Sequence, residues 1–254
     1  MEGYCPLASG SKGNSLYFGT KKTKILIDAG ISGRATQHRL SEIGVDLKEI
    51  QAILISHEHT DHIAGLKTLA LRHKIPILAN TETAKGIYGI LRECPQFKIF
   101  TTGETFTFGD IEIHPFSIQH DTTDPVGFTL KVDGYKVGIC TDLGYPTTLV
   151  KLHLKHCDSL VIESNHEPSM VHACPRPISY KQRVLGRSGH LSNEACAELL
   201  SEIYHDNLKH IHLAHLSQEC NVPEVAIKKV KDNIGTSCPI TIAPQDHLGQ
   251  GVFF

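Results

Sequence analysis

The chain contains no tryptophan and only two methionines among its 254 residues. It has no apolar run near the roughly 18 to 20 residues that span a bilayer, and its start, MEGYCPLASG, lacks a basic stretch leading into an apolar one. A protein without membrane contact, located in the cytoplasm, is therefore expected. The eight cysteines include no CxxC pair, so in a chain of this size they read as reduced thiols rather than a disulfide framework. Runs of one charge and biased tracts are also missing, which excludes the disordered class. With 25 Lys and Arg against 27 Asp and Glu, the net charge is -2 and no global basic field exists. Any polyanion would have to be met by a local patch.

What is abundant is histidine, with seventeen copies of the side chain that most often binds metals. The length suffices to bury a sizeable core without staples. No stretch is rich enough in Pro, Gly or Ser to serve as a linker, so residues 1–254 read as one domain.

Apolar periodicity organises the chain. YCPLAS, NSLYFG and KILIDAG read as a β-meander ending at Asp28, followed by a helix carrying Ala35, Leu40 and Ile43. The run Ala52-Ile53-Leu54-Ile55 suits a strand covered on both faces. From Asp61, the residues Ile63, Leu66, Leu69 and Ala70 have helical spacing as far as the stop at Pro76. Another helix is expected near 83–92. Short strands with glycine turns fill 97 to 142, including an Asp133-Gly134 hairpin. The strands DSLVIES and HIHLA follow, with Ser192 placed to cap one helix and Pro223 to start another. Two blocks of strands, each followed by helices, predict an α/β protein with two mixed sheets and helices outside them.

Directly after the 52–55 strand comes His57-Glu58-His59-Thr60-Asp61-His62, an HxHxDH pattern. A loop leaving a strand can present His57 and His59 on one side and Asp61 and His62 on the other, which serves two cations better than one. Imidazole with carboxylate suits zinc or manganese. His120, Asp142 and His215 each close an apolar strand, where loops gather into sites. Taken singly, each reads more simply as a loop residue; beside HxHxDH they read as further ligands.

The order Asp28, HxHxDH, His120, Asp142, His215 resembles the metallo-β-lactamase superfamily of hydrolases, over essentially the whole chain. Finer segments narrow the resemblance: Ala8 to Ser15 (ASGSKGNS), His120-Asp121 followed by Asp124-Pro125-Val126-Gly127, Glu163 to Glu167 (ESNHE), Gly189 to Asn193 (GHLSN), and Ala214 to Ser217 (AHLS). Together they are similar to the YycJ/WalJ group, relatives of ribonucleases J and Z regarded as 5′-to-3′ DNA exonucleases. That group more usually has Ala and Asp where Ser164 and Glu167 stand here. The resemblance implies a four-layer αββα sandwich. It also implies two divalent ions, zinc or manganese: His57, His59 and His120 on one, Asp61, His62 and His215 on the other, with Asp142 bridging. Asp28 would orient a ligand rather than be one.

Two such ions lower the pKa of a shared water, which would attack a phosphodiester. By resemblance His190, in GHLSN, would protonate the leaving 3′-oxygen, with Asp61 the other residue assigned to catalysis. Substrate capture falls to residues 174–189, where Arg176, Lys181, Arg183 and Arg187 stand without an acid. Tyr180 within this island could stack on a base, and Ser9, Ser11 and Asn14 could hydrogen-bond a phosphate. The expected substrate is single-stranded DNA, with RNA the nearer alternative. A small-molecule phosphodiesterase and a thioester or lactam hydrolase are the competing activities on the same site.

Overall fold

A computed structural model describes residues 1–235 and 238–254. Among these residues, fourteen strands make two seven-stranded mixed sheets with helices around them, as the strand and helix patterning predicts. In the first sheet, β1 (Gly3–Ala8), β2 (Ser15–Gly19) and β3 (Lys24–Ile27) form the antiparallel meander. Next to β3 run β4 (Ala52–Leu54), β5 (Ile77–Ala79) and β6 (Phe97–Ile99), all parallel to it. The second sheet starts with β7 (Phe106–Phe108), β8 (Ile111–Ser117), β9 (Val126–Val132) and β10 (Tyr135–Cys140). It continues in parallel through β11 (Ser159–Glu163), β12 (His210–Ala214) and β13 (Ile240–Ile242). A last strand, β14 (Val252–Phe253), pairs with the outer edge of β1 in the first sheet.

By compactness the chain divides into two units: residues 1–115, 122–126 and 243–254, and residues 116–121 and 127–242. Each has its own core. In the first, Leu26, Ile53, Ile55 and Ile77 pack with Leu40, Leu69 and Ile87. In the second, Cys140, Leu160, Ile162 and Leu213 pack with Val150, Leu200 and Val230. Burying side chains of this size contributes about 1.5–3 kcal/mol each, which is what holds the strand ends in place. The first unit carries α1 (Gly33–Glu42), α2 (Thr60–Ile63) and α3 (Thr81–Leu91). The second carries α4 (Thr148–Leu154), α5 (Pro168–Ala173), α6 (Ile178–Leu185), α7 (Asn193–Ile203) and α8 (Pro223–Ile234). Ser192 caps α7 by accepting from the Ala195 amide, and Pro223 opens α8, as expected.

Two departures from the periodicity have local causes. The helix expected from Asp61 stops at Ile63 and resumes as a π-helical turn over Lys67–Arg72. The Gly65 amide instead donates to the Ala29 carbonyl at 2.7 Å, and a Cβ there would meet the Ile31 carbonyl oxygen at 2.3 Å, so tertiary contact diverts the backbone. The basic stretch after Cys174, read above only for its charge, contains α6, which buries Val184. No disulfide occurs among the described residues, and no helix is long and apolar enough to cross a membrane.

Candidate metal centre

The site residues sit where strands end. In the first unit, β3 ends into Asp28, and β4 ends at Leu54, from which Ile55 and Ser56 lead into the HxHxDH loop. In the second, Asp142 follows β10, Glu163 ends β11 and His215 follows β12. Asp28, Asp142 and His215 all have positive φ, 59°, 55° and 56°. Such backbone costs on the order of 1 kcal/mol or more per residue and persists only where the surroundings dictate it. Here it turns three strand ends sharply so that their side chains face the loops.

Within the first unit, one buried carboxylate sets two imidazoles. Asp28 Oδ2 accepts from His62 Nδ1 at 2.8 Å. The Ser56 hydroxyl lies 2.9 Å from the same oxygen and 3.0 Å from His57 Nδ1. Donating to Asp28, it accepts from His57. Both rings are thereby fixed as the tautomer whose Nε2 carries the lone pair, the form that ligates a metal. Asn14, expected on phosphate, places Nδ2 3.0 Å from His62 Nε2 and 3.4 Å from Asp61 Oδ2. It is buried, as is Ser9, whereas Ser11 is exposed. The His59 ring meets that of His57 edge to face at 4.8 Å.

Within the second unit the same logic recurs. His120 donates from Nδ1 to the Gly189 carbonyl at 3.2 Å, and His215 from Nδ1 to Glu163 Oε1 at 3.0 Å. Their Nε2 atoms lie 3.7 and 3.6 Å from Asp142 Oδ1. His62 Nε2 and Asp61 Oδ2 are likewise 3.7 Å apart in the first unit. These separations exceed a hydrogen bond and match the roughly 3.4 Å between two ligands of one tetrahedral zinc. The residues present therefore fit a divalent metal.

Glu163 is the functional residue that residue-by-residue reading missed. Fully buried, it accepts from His190 Nδ1 at 2.9 Å and His215 Nδ1 at 3.0 Å through Oε1, and from the Leu143 and Leu191 amides through Oε2. Burial alone would push its carboxyl up, but the charge and hydrogen bonds of His190 and His215 hold it below the ordinary value. With both oxygens engaged it orients its neighbours, although it clusters with Asp142, His190 and His215 closely enough to share an ion. Its signal was present: an acid closing an apolar strand, the pattern that singled out Asp142. Asn165 was missed as well; its Nδ2 donates to the His215 carbonyl at 2.7 Å.

The basic island is less basic than its composition. Arg176 is ion-paired with Glu219, and Arg183 Nε donates to Asp121 Oδ2 at 2.7 Å. Lys181 caps the His172 carbonyl at 2.6 Å, and Tyr180 packs against Val171, Val184 and Cys220. Arg187 lies over the ring of Tyr145. His210 and His212 share a strand face, ring centroids 4.4 Å apart, away from any ligand pattern.

Residues 23–213 match the family described as the β-lactamase superfamily domain. The chain is 39% identical over 222 residues to exodeoxyribonuclease YycJ of Bacillus anthracis, covering 87% of this chain and 84% of that one. It is 38% identical over 255 residues to exodeoxyribonuclease WalJ of Streptococcus pneumoniae, covering 99% and 91%. Among solved structures, the metallo-β-lactamase fold protein YhfI from Bacillus subtilis superposes with a TM-score of 0.75 at 16% identity, over 96% of this chain and 97% of that one. The last likeness establishes the fold alone.

Proposed function

This chain belongs to the β-lactamase superfamily, and on that premise we propose that it is a metal-dependent exonuclease that shortens single-stranded DNA from the 5′ end. The observation that carries the reading is identity of 38% to an exodeoxyribonuclease over 99% of the chain. In this reading residues 1–254 act as one cytoplasmic domain. His57, His59 and His120 would hold one divalent ion and Asp61, His62 and His215 a second, with Asp142 available to both; zinc and manganese both suit these donors. Bound ions supply a water of lowered pKa and neutralise phosphate charge.

The chain's own groups do the rest. Asp28 and Ser56 hold two ligand tautomers, and Glu163 holds His215. Glu163 also pins Nδ1 of His190, so the opposite nitrogen of that imidazole is the one that delivers a proton to the leaving 3′-oxygen. Asp61, beside His62 Nε2, would be both a ligand and the second residue assigned to catalysis. Phosphates beyond the scissile one are met by Lys181 and Arg187, by Arg176 and Arg183 exchanging their carboxylates for phosphate, and by the exposed Ser11 of the glycine-rich loop, whereas the buried Ser9 and Asn14 do not reach the substrate and Asn14 instead holds that loop by accepting the Gly10 amide. Tyr180 borders this path.

The test is to supply manganese or zinc with 5′-phosphorylated single-stranded DNA, RNA, a small phosphodiester and a thioester. Progressive loss of DNA from its 5′ end, abolished by a chelator and restored by the metal, is expected. No loss of either polynucleotide alongside brisk thioester cleavage overturns the proposal.

A further inference from the structure

An exposed aromatic outside every motif stands three residues from Asp142. Tyr145, on the loop between β10 and α4, is 43% exposed and belongs to neither large core. The Arg187 guanidinium carbon lies 4.2 Å from its ring centroid. Their pairing is built in by the backbone. A Cβ on Gly144 would sit 2.3 Å from the Arg187 carbonyl oxygen and 2.8 Å from the Gly189 amide nitrogen, so only glycine lets the two segments lie together. The Gly144 amide donates to the Gln119 carbonyl at 2.8 Å, and the neighbouring Leu143 amide to Glu163 at 2.6 Å. One side of the pair is thus tied to Asp142 and the other, through Gly189, to His120 and His190.

The charge pattern separates this pair from the rest of the island. Arg176 and Arg183 face Glu219 and Asp121. Among the described residues, Arg187 has the Tyr145 ring and no carboxylate within ion-pair distance. Tyr180, the other aromatic here, has the ion-paired Arg176 over its ring at a longer 5.5 Å and is partly buried against Val171, Val184 and Cys220, which leaves less of its face open.

We propose that Tyr145, backed by Arg187, is a stacking platform for an unpaired nucleobase beside the phosphodiester being cut, which rests on the nuclease reading above. An aromatic face accepts any base, because every base has a π-face, and the guanidinium behind it remains close enough to meet the adjoining phosphate. A paired base inside a duplex has both faces covered by its neighbours. The platform therefore selects single strands without reading sequence, and Tyr145 acts as a positioning residue.

The experiment compares manganese-loaded wild type, Tyr145→Phe and Tyr145→Ala on two 5′-phosphorylated strands, one intact and one with abasic residues at the end being cut. Tyr145→Ala raises KM on the intact strand by about tenfold, in the range found for base stacking, while the gap to wild type nearly closes on the abasic strand. Tyr145→Phe, which keeps the ring, stays close to wild type on both. Equal loss on both strands, or none on either, overturns the proposal. Should Tyr145→Ala melt well below wild type, Tyr145→Leu, which keeps apolar bulk without a π-face, replaces it with the same expectation. Should the wild type leave DNA intact, the nuclease reading falls by itself. Quenching of 2-aminopurine at the strand end then decides the platform: quenching by wild type and not by Tyr145→Ala supports it, and equal quenching overturns it.

Discussion

The carboxylate of Asp28 accepts the Nδ1 proton of His62 at 2.8 Å, with both side chains buried and 34 residues apart in the chain. Asp28 is therefore not a spare acid of the site but the group that decides which nitrogen of His62 is available. Removing it leaves the ring free to rotate and to take the wrong tautomer. Asp28→Ala is expected to weaken metal binding by about 10- to 100-fold, as loss of such a partner usually does. Competition against a chromophoric chelator measures this, with circular dichroism to confirm the fold. Affinity within twofold of wild type would sink the assignment.

His190 and His215 both lean on Glu163, yet only His215 is proposed as a ligand. His190→Ala should then lower kcat by about 10²- to 10⁴-fold, the usual worth of a positioned general acid, with the metal content of the protein retained. Metal lost together with activity would make His190 a ligand instead.

Glu163→Gln tests the orienting role. The amide offers one acceptor and one donor where four donors converge, so two or more partners lose their acceptor. A destabilisation of about 3 kcal/mol is expected from the buried groups left unsatisfied, together with loss of activity. Urea denaturation of metal-free protein reads the first and DNA digestion the second. A variant as stable and active as wild type contradicts the network.

His166 gives a pH dependence outside the proposed ligand set. Burial pushes its imidazole down to about 4 from the ordinary 6.5. The folded state holds the ring neutral where the unfolded chain protonates it. Stability from this residue is thus complete above about pH 6.5 and falls as the pH drops toward 4. Compared with His166→Gln in metal-free protein, the wild type should lose on the order of 1–3 kcal/mol more between pH 7 and 4. Parallel stability curves for the two proteins would show that the ring is not held neutral.

Much of this was legible from residue order, because strand and helix periodicity and the HxHxDH spacing are short-range features. The meander, the parallel strands and the capped helix at Ser192 follow from apolar pattern and capping chemistry. So does the placement of Asp28, Asp142 and His215 at strand ends. The break after Ile63 was not legible, since a carbonyl from residue 29 makes it. Nor was the neutralised charge of Arg176 and Arg183, whose acids stand 43 and 62 residues away.

By itself the sequence determined which side chains are able to bind metal, since imidazole and carboxylate chemistry belongs to the residue wherever it stands. Only the tertiary structure decided what each is free to do. Hydrogen bonds from the rings to Asp28, Ser56, Glu163 and Gly189 choose the nitrogen each ring presents, and a glycine-only contact at Gly144 sets Tyr145 against Arg187. Those partners meet because strands distant in sequence lie side by side in a sheet, and residue spacing along the chain does not encode that adjacency.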